Sequence, residues 1–295
     1  MDPCSSLPQP ADWNPIAGGG PTSAFAAVLA GFVFIGMVYV LTEGFNRHHG
    51  HTLMLFMAAF VCLAAASYTE ALASGEVACL RAWSEGMFSS GLLAVGSTAM
   101  LAALAWLLPA QYGRDPIVRR FTIIAALSIA LIVSELLTAA AQGFLLDVPG
   151  RSHWRGPIGW STLMIMALVI IAWLLRLTKV VRERYRVVTA AGGVIAFTFL
   201  SLIFLGPIGD LPKSEWVSPA TWVVVASTVI PLYGGALVVA TIIWALPTGR
   251  SWPAETHVIK ENDAAAGQGH CVFERLPLEL GLCGVIGLCR GGSGG

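Results

Sequence analysis

Long apolar runs separated by short polar stretches set the pattern of this chain. A membrane span takes roughly 20 consecutive apolar residues, and seven runs of that length stand out, at about 22–42, 53–73, 86–108, 121–145, 158–178, 187–207 and 219–246. The connections are short, so consecutive helices run antiparallel and lie side by side in one bundle. The pattern predicts an all-α membrane protein, a seven-transmembrane-helix bundle over residues 22–247. Residues 1–21 are polar, Pro/Gly-rich and without a basic leader; they read as a flexible outer tail, with Gly18, Gly19 and Gly20 as linker. Residues 248–290 mix charges with an apolar run around Leu276–Leu288 that is too short and interrupted to span, and Gly-Gly-Ser-Gly-Gly at 291–295 has the composition of an appended linker, beyond which the natural chain could continue.

Counting cations orients the bundle. The connections after spans one, three and five carry nine Lys and Arg (Arg47; Arg114, Arg119, Arg120; Arg176, Lys179, Arg182, Arg184, Arg186). Those after spans two, four and six carry four (Arg81; Arg151, Arg155; Lys213). By the positive-inside bias the N-terminus is outside and the C-terminus cytoplasmic. Tryptophans near span ends, among them Trp83, Trp154, Trp216 and Trp244, fit interfacial belts.

Composition narrows the class further. Of 295 residues, 56% are hydrophobic and 12% charged, with a mean hydropathy of +0.74. Soluble domains carry about a quarter charged residues. Basic and acidic residues balance at 17 each, which removes nucleic acid as a partner, since neutralising phosphates takes a basic surplus. Membrane lipids are the expected surroundings, and a homo-oligomer or a cytoplasmic partner for the C-terminal tail is compatible with them. The six cysteines show no paired spacing that argues for a zinc site or a disulfide framework; Cys271, Cys283 and Cys289 on the tail are candidates for S-acylation or plain reduced thiols.

Ionisable groups inside spans are functional candidates by default, and there are few. Glu70 falls near the outer end of span two, Glu85 near the outer end of span three, and Glu135 deep in span four. Arg81 precedes Glu85 by one helical turn, so its guanidinium is placed to pair with Glu85 or with Glu70 on the neighbouring helix. Against this stands the plain reading that Glu70 and Arg81 snorkel to water; Glu85 is expected inside the bundle, and Glu135 to hydrogen-bond a neighbouring helix. Histidines His48, His49 and His51 fall in the first cytoplasmic connection, where solvation is a commoner fate than metal binding. The chain contains no H-E-x-x-H, G-x-S-x-G or phosphate-loop motif.

Helix three carries a family likeness. Leu80-Arg81-Ala82-Trp83-Ser84-Glu85-Gly86-Met87-Phe88-Ser89-Ser90-Gly91-Leu92-Leu93 resembles the third helix of microbial-type rhodopsins, in which an Arg, an aromatic, a carboxylate and a hydroxyl pair followed by Pro and Leu occur in this order. The resemblance puts the retinal counter-ion at Glu85 and the hydroxyl pair at Ser89 and Ser90. Ala66-Ser67-Tyr68-Thr69-Glu70 is a second match, and Leu205-Gly206-Pro207-Ile208-Gly209 is similar to the end of helix six in the channelrhodopsin branch. It implies a microbial-rhodopsin-type bundle over about 22–247, with Tyr68 among the pocket-lining residues.

The departures bear directly on function. The family holds retinal as a Schiff base on a helix-seven lysine, whereas Lys179, Lys213 and Lys260 all fall outside the spans. Alignment places Pro231 at or next to the missing lysine, Ser227 at the second counter-ion, Ser201 at the helix-six proline, and Phe197 and Phe204 at the tryptophans that sandwich retinal. Covalent retinal is not expected; non-covalent retinal or a lipid is compatible with the pocket. The expected function is therefore a lysine-less rhodopsin-like membrane protein acting as a passive proton or ion pathway, or as a sensor or scaffold, with Glu85, Arg81, Glu70, Ser89, Ser90, Glu135 and Ser227 as pathway residues. An intramembrane acid/base enzyme on a lipid or isoprenoid and a non-covalent retinoid binder are the alternatives. Pro231, followed by Tyr233-Gly234-Gly235, is expected to distort helix seven.

Overall fold

The computed structural model describes residues 14–42, 47–111, 116–150, 152–177 and 182–247. Among these residues the chain is helical throughout, with no strand. Helices one to six are Pro15–Thr42, Arg47–Ser74, Cys79–Gln111, Pro116–Asp147, Ser161–Leu177 and Glu183–Gly209. A single 3-10 turn, Ser152–Trp154, and a short helix, Arg155–Gly159, lead into helix five. Helix seven runs as Thr221–Val229, a π segment Ile230–Gly234, and Gly235–Trp244. Seven helices are long and apolar enough to cross a membrane, which is the build of a multi-pass membrane protein.

The described residues stop short of the C-terminal tail, so expectations for 248–295, including Cys271, Cys283, Cys289 and Lys260, lie outside them, as do Glu43, Lys179 and the side chains of Arg47, His48 and His49.

Two expectations at the chain's start are corrected. Helix one begins at Pro15 and takes in Gly18, Gly19, Gly20 and Pro21. Pro15 stands in the first turn, where proline's missing N–H has no bond to lose, and the Asn14 side chain accepts the Ile16 N–H at 3.0 Å as cap. Gly19 is no linker: a Cβ there would sit 2.9 Å from the Glu70 carbonyl oxygen and 3.0 Å from the Ser74 nitrogen, so the missing side chain lets helix one lie on the end of helix two. Nearby, Ser23 donates to the Ser67 carbonyl at 2.8 Å and Ser67 to the Ser23 carbonyl at 3.0 Å. Small and hydroxylated residues at such contacts are the usual glue between membrane helices. Cys79 is disulfide-bonded, a pairing that the scattered cysteine spacing did not suggest.

Helix three is the axis of the bundle. It packs against helices one, two, four, six and seven, and 72% of its span is buried against 22% for helix one at the rim. Helix seven, at 67%, is the next most enclosed. Call the face where helices one, three, five and seven begin the N-face and the opposite one the C-face. At the C-face, Trp106 donates its indole N–H to the Ala245 carbonyl at 3.2 Å. Arg176 donates to the carbonyls of Leu246 and Pro247, and Arg186 to the Arg176 carbonyl at 3.0 Å. Two buried guanidiniums thus satisfy the carbonyls left open at helix ends, and they lie over the Trp173 and Trp244 rings. His51 belongs to helix two and meets Trp106 edge-on, ring centroids 5.2 Å apart.

The expected distortion of helix seven is present and has a definite form. Pro231 has no N–H to give and its ring crowds the preceding turn; the ladder widens, and the Gly235 N–H reaches back five residues to the Ile230 carbonyl.

Candidate functional site

Because helix three is enclosed on nearly every side, the polar residues of its first turns have nowhere to go but the interior. Glu85 is buried, with 2% of its surface exposed. Arg81, one turn earlier, sets its Nε 3.2 Å from Glu85 Oε1 and 3.1 Å from Glu76 Oε1. The second carboxylate oxygen of Glu85 is buried and has no hydrogen-bond donor among the described residues. A carboxylate oxygen in that position needs a water or a proton, since an unpaired buried acceptor is costly.

Glu70 does not join Arg81 as expected. It is buried beside the Ser89 hydroxyl, and Ser89 also donates to the Ala66 carbonyl at 3.0 Å. The guanidinium is drawn instead to Glu76, in the tight turn between helices two and three. Asp147, the last residue of helix four, is 1% exposed and lies beside the Trp83 indole. Trp83 is fixed there by Phe144, 6.5 Å away between ring centroids, and by Gly143, where a Cβ would meet the indole at 3.2 Å. Glu76 and Asp147 were missed in the sequence: Glu76 precedes the apolar run, and Asp147 closes one just before Pro149-Gly150, a position that reads as an ordinary solvated helix end.

Between helices three and seven the hydroxyls of Ser84 and Ser227 hydrogen-bond to one another, both fully buried. Ser227 thus carries no charge where the resemblance places the second counter-ion. One turn further along helix seven the interior closes. Pro231 packs on Gly91, where a Cβ would lie 3.0 Å from the proline Cβ and 3.1 Å from its Cα, and the Phe197 ring covers Gly91, Gly234 and Gly235. On the C-face side of this seam lies a narrow, mostly apolar crevice lined by Ala94, Ala130, Ser134, Leu137, Leu232 and Gly235 among others, with room for about one water.

Of the remaining expected residues, Ser90 and Phe204 are half-buried, and Ser201 is buried with its hydroxyl unpaired among the described residues. Two placements are corrected. Tyr68 is 60% exposed on the outer surface of the bundle and lines no pocket, because Ala66, Thr69 and Glu70 hold the inward face of helix two and Tyr68 lies a third of a turn away. Glu135 likewise points out of the bundle. The inward stripe of helix four is Ile123, Ala126, Ala130, Ser134, Leu137, Thr138 and Ala141, and residue 135 falls beside it. Comparison with protein-family models, curated proteins and solved structures finds no match.

Proposed function

We propose that this chain is a lysine-less, rhodopsin-like membrane protein that binds protons or cations at a site on the N-face of its bundle and serves as a gated passive pathway or sensor. The observation that carries the reading is Glu85: a carboxylate enclosed in the bundle, one oxygen held by Arg81 and the other open to a water, a proton or a cation. Glu70 with Ser89, and Asp147 beside Trp83, extend the acidic lining, and the Pro231–Phe197–Gly91 seam is the gate across it. The N-face is the extracellular one, on the cation count of the connections and on the Cys79 disulfide, which persists in an oxidising compartment.

Flux in vesicles tests the reading. Reconstituted wild type should carry protons down a gradient, read by an entrapped pH-sensitive dye, and Glu85→Gln should change the rate or its pH profile while leaving the helical content intact. Identical flux from both, or none above empty vesicles under a gradient of either sign, would remove the pathway. The enzyme reading has no arrangement behind it, since Glu70 and Glu85 hold different partners, Ser89 and Arg81.

A further inference from the structure

Helix six is 27 residues long, about 40 Å, against roughly 30 Å of bilayer hydrocarbon. With its middle at the bilayer centre, its first turn stands at headgroup depth on the C-face. The stretch that leads into it, residues 176–186, carries five cations and one carboxylate. Two of the cations turn inward: Arg176 donates to the Leu246 carbonyl and Arg186 to the Arg176 carbonyl, each at 3.0 Å. Arg182 and Arg184 are exposed instead, as is Tyr185. Neither guanidinium, nor the Tyr185 hydroxyl, has an ion-pair or hydrogen-bond partner among the described residues. Glu183, between the two arginines, is half-buried and has a partner of its own. From Tyr185 an outward stripe descends at spacings of three and four through Val188, Gly192, Ile195 and Phe199. A Cβ at Gly192 would meet nothing within 4 Å, so the stripe carries a recess between Val188 and Ile195.

We propose that this edge of helix six holds an anionic phospholipid of the C-face leaflet, its phosphate on Arg182 and Arg184 and an acyl chain along the stripe at the Gly192 recess. Charge complementarity selects the headgroup. A guanidinium matches phosphate oxygens with paired N–H donors, and two of them stand here without a counter-charge. A choline headgroup would bring its own cation against them, whereas a glycerol or inositol headgroup leaves the phosphate charge to the arginines. The Tyr185 hydroxyl, at the same depth, donates to the ester or headgroup oxygens, which is the usual place of a tyrosine at a membrane interface. The stripe below selects a lipid over a free anion. Inorganic phosphate would meet the arginines alone, in water where salt screens the attraction, while a lipid arrives at headgroup depth with its chain already against Val188 and Ile195. Each arginine near an anionic surface raises affinity about fivefold. This inference needs only the membrane-spanning build and stands apart from the N-face site.

Lipid retention tests it. The full chain, reconstituted in vesicles of equal phosphatidylglycerol and phosphatidylcholine, is transferred to mild detergent and purified, and the lipid that stays bound is measured by mass spectrometry. Wild type should retain phosphatidylglycerol over phosphatidylcholine by about fivefold or more. Arg182→Gln with Arg184→Gln should bring the ratio down to that of the vesicles, and Arg182→Lys with Arg184→Lys should keep most of the preference. Arg120→Gln, which removes an exposed cation from the C-face end of helix four, should retain lipid like wild type. Gly192→Phe fills the recess, leaves both arginines in place and should lower the amount of phosphatidylglycerol retained. Inorganic phosphate in the detergent buffer should not displace the lipid. No preference in wild type, a loss in Arg120→Gln as large as in the double glutamine variant, full retention by Gly192→Phe, or displacement by inorganic phosphate overturns the proposal. If Gly192→Phe does not fold, the arginine variants and the phosphate competition decide it.

Discussion

Gly91→Ala probes the seam that closes the interior. The added methyl would lie 3.0 Å from the Pro231 Cβ and 3.1 Å from its Cα, inside ordinary contact distance, and 3.4 Å from the Phe197 Cζ, at its edge. Two of those atoms belong to a proline in the π segment, which has no side-chain torsion to relax, so helix seven itself must move by a few tenths of an ångström. Overpacking of that kind costs roughly 1–3 kcal/mol. Alanine in a helix also gains up to about 1 kcal/mol over glycine. Gly192→Ala isolates that second effect, because a Cβ at Gly192 meets nothing within 4 Å. The difference in stability between the two variants should therefore be about 1–3 kcal/mol, with Gly91→Ala the weaker. Reversible unfolding in mixed micelles, followed by circular dichroism, measures it; at about 2–4 °C per kcal/mol for a domain of this size, the midpoints should part by several degrees. A Gly91→Ala protein as stable as Gly192→Ala would refute the close packing of helix three on Pro231, and with it the gate.

The ion pair at the N-face gives a second test: Arg81→Gln leaves Glu85 buried without its cation and should destabilise by on the order of 3 kcal/mol, whereas Arg81→Gln with Glu85→Gln should recover most of that loss in the same unfolding assay. An equal loss in single and double variants would mean that Arg81 matters for packing rather than charge. Retinal supplies the third: an imine needs an amine and no described span contains lysine, so protein incubated with retinal should yield no adduct fixed by borohydride within a span, as read by peptide mass mapping.

Much of the fold was legible in the chain because a bilayer imposes a length on its helices, and a run of apolar residues reports that length directly. The seven spans, the distortion at Pro231 and the interior place of Glu85 followed from local facts: a proline cannot donate, and a carboxylate one turn from an arginine ahead of an apolar run has a partner in reach. What the chain did not reveal is rotation. A helix that is apolar on all sides carries little signal for which face turns inward, so Tyr68 and Glu135 gave no sign that they face outward, nor Gly19 that it sits under helix two.

Partner choice was equally tertiary. Arg81 had Glu85 in its own helix and Glu70 across the interface as candidates; it holds Glu85, and the turn at Gly75 delivers Glu76 in place of Glu70. Asp147 reads as a solvated helix end until Trp83, from another helix, covers it. Sequence by itself determined how many helices cross and which residues cannot sit in lipid uncompensated; only the packing of helices two, four and seven on helix three decided which of those residues meet. Burial and pairing depend on side chains more than sixty residues apart approaching within a few ångströms, as Ser84 and Ser227 do, and no local pattern encodes that distance.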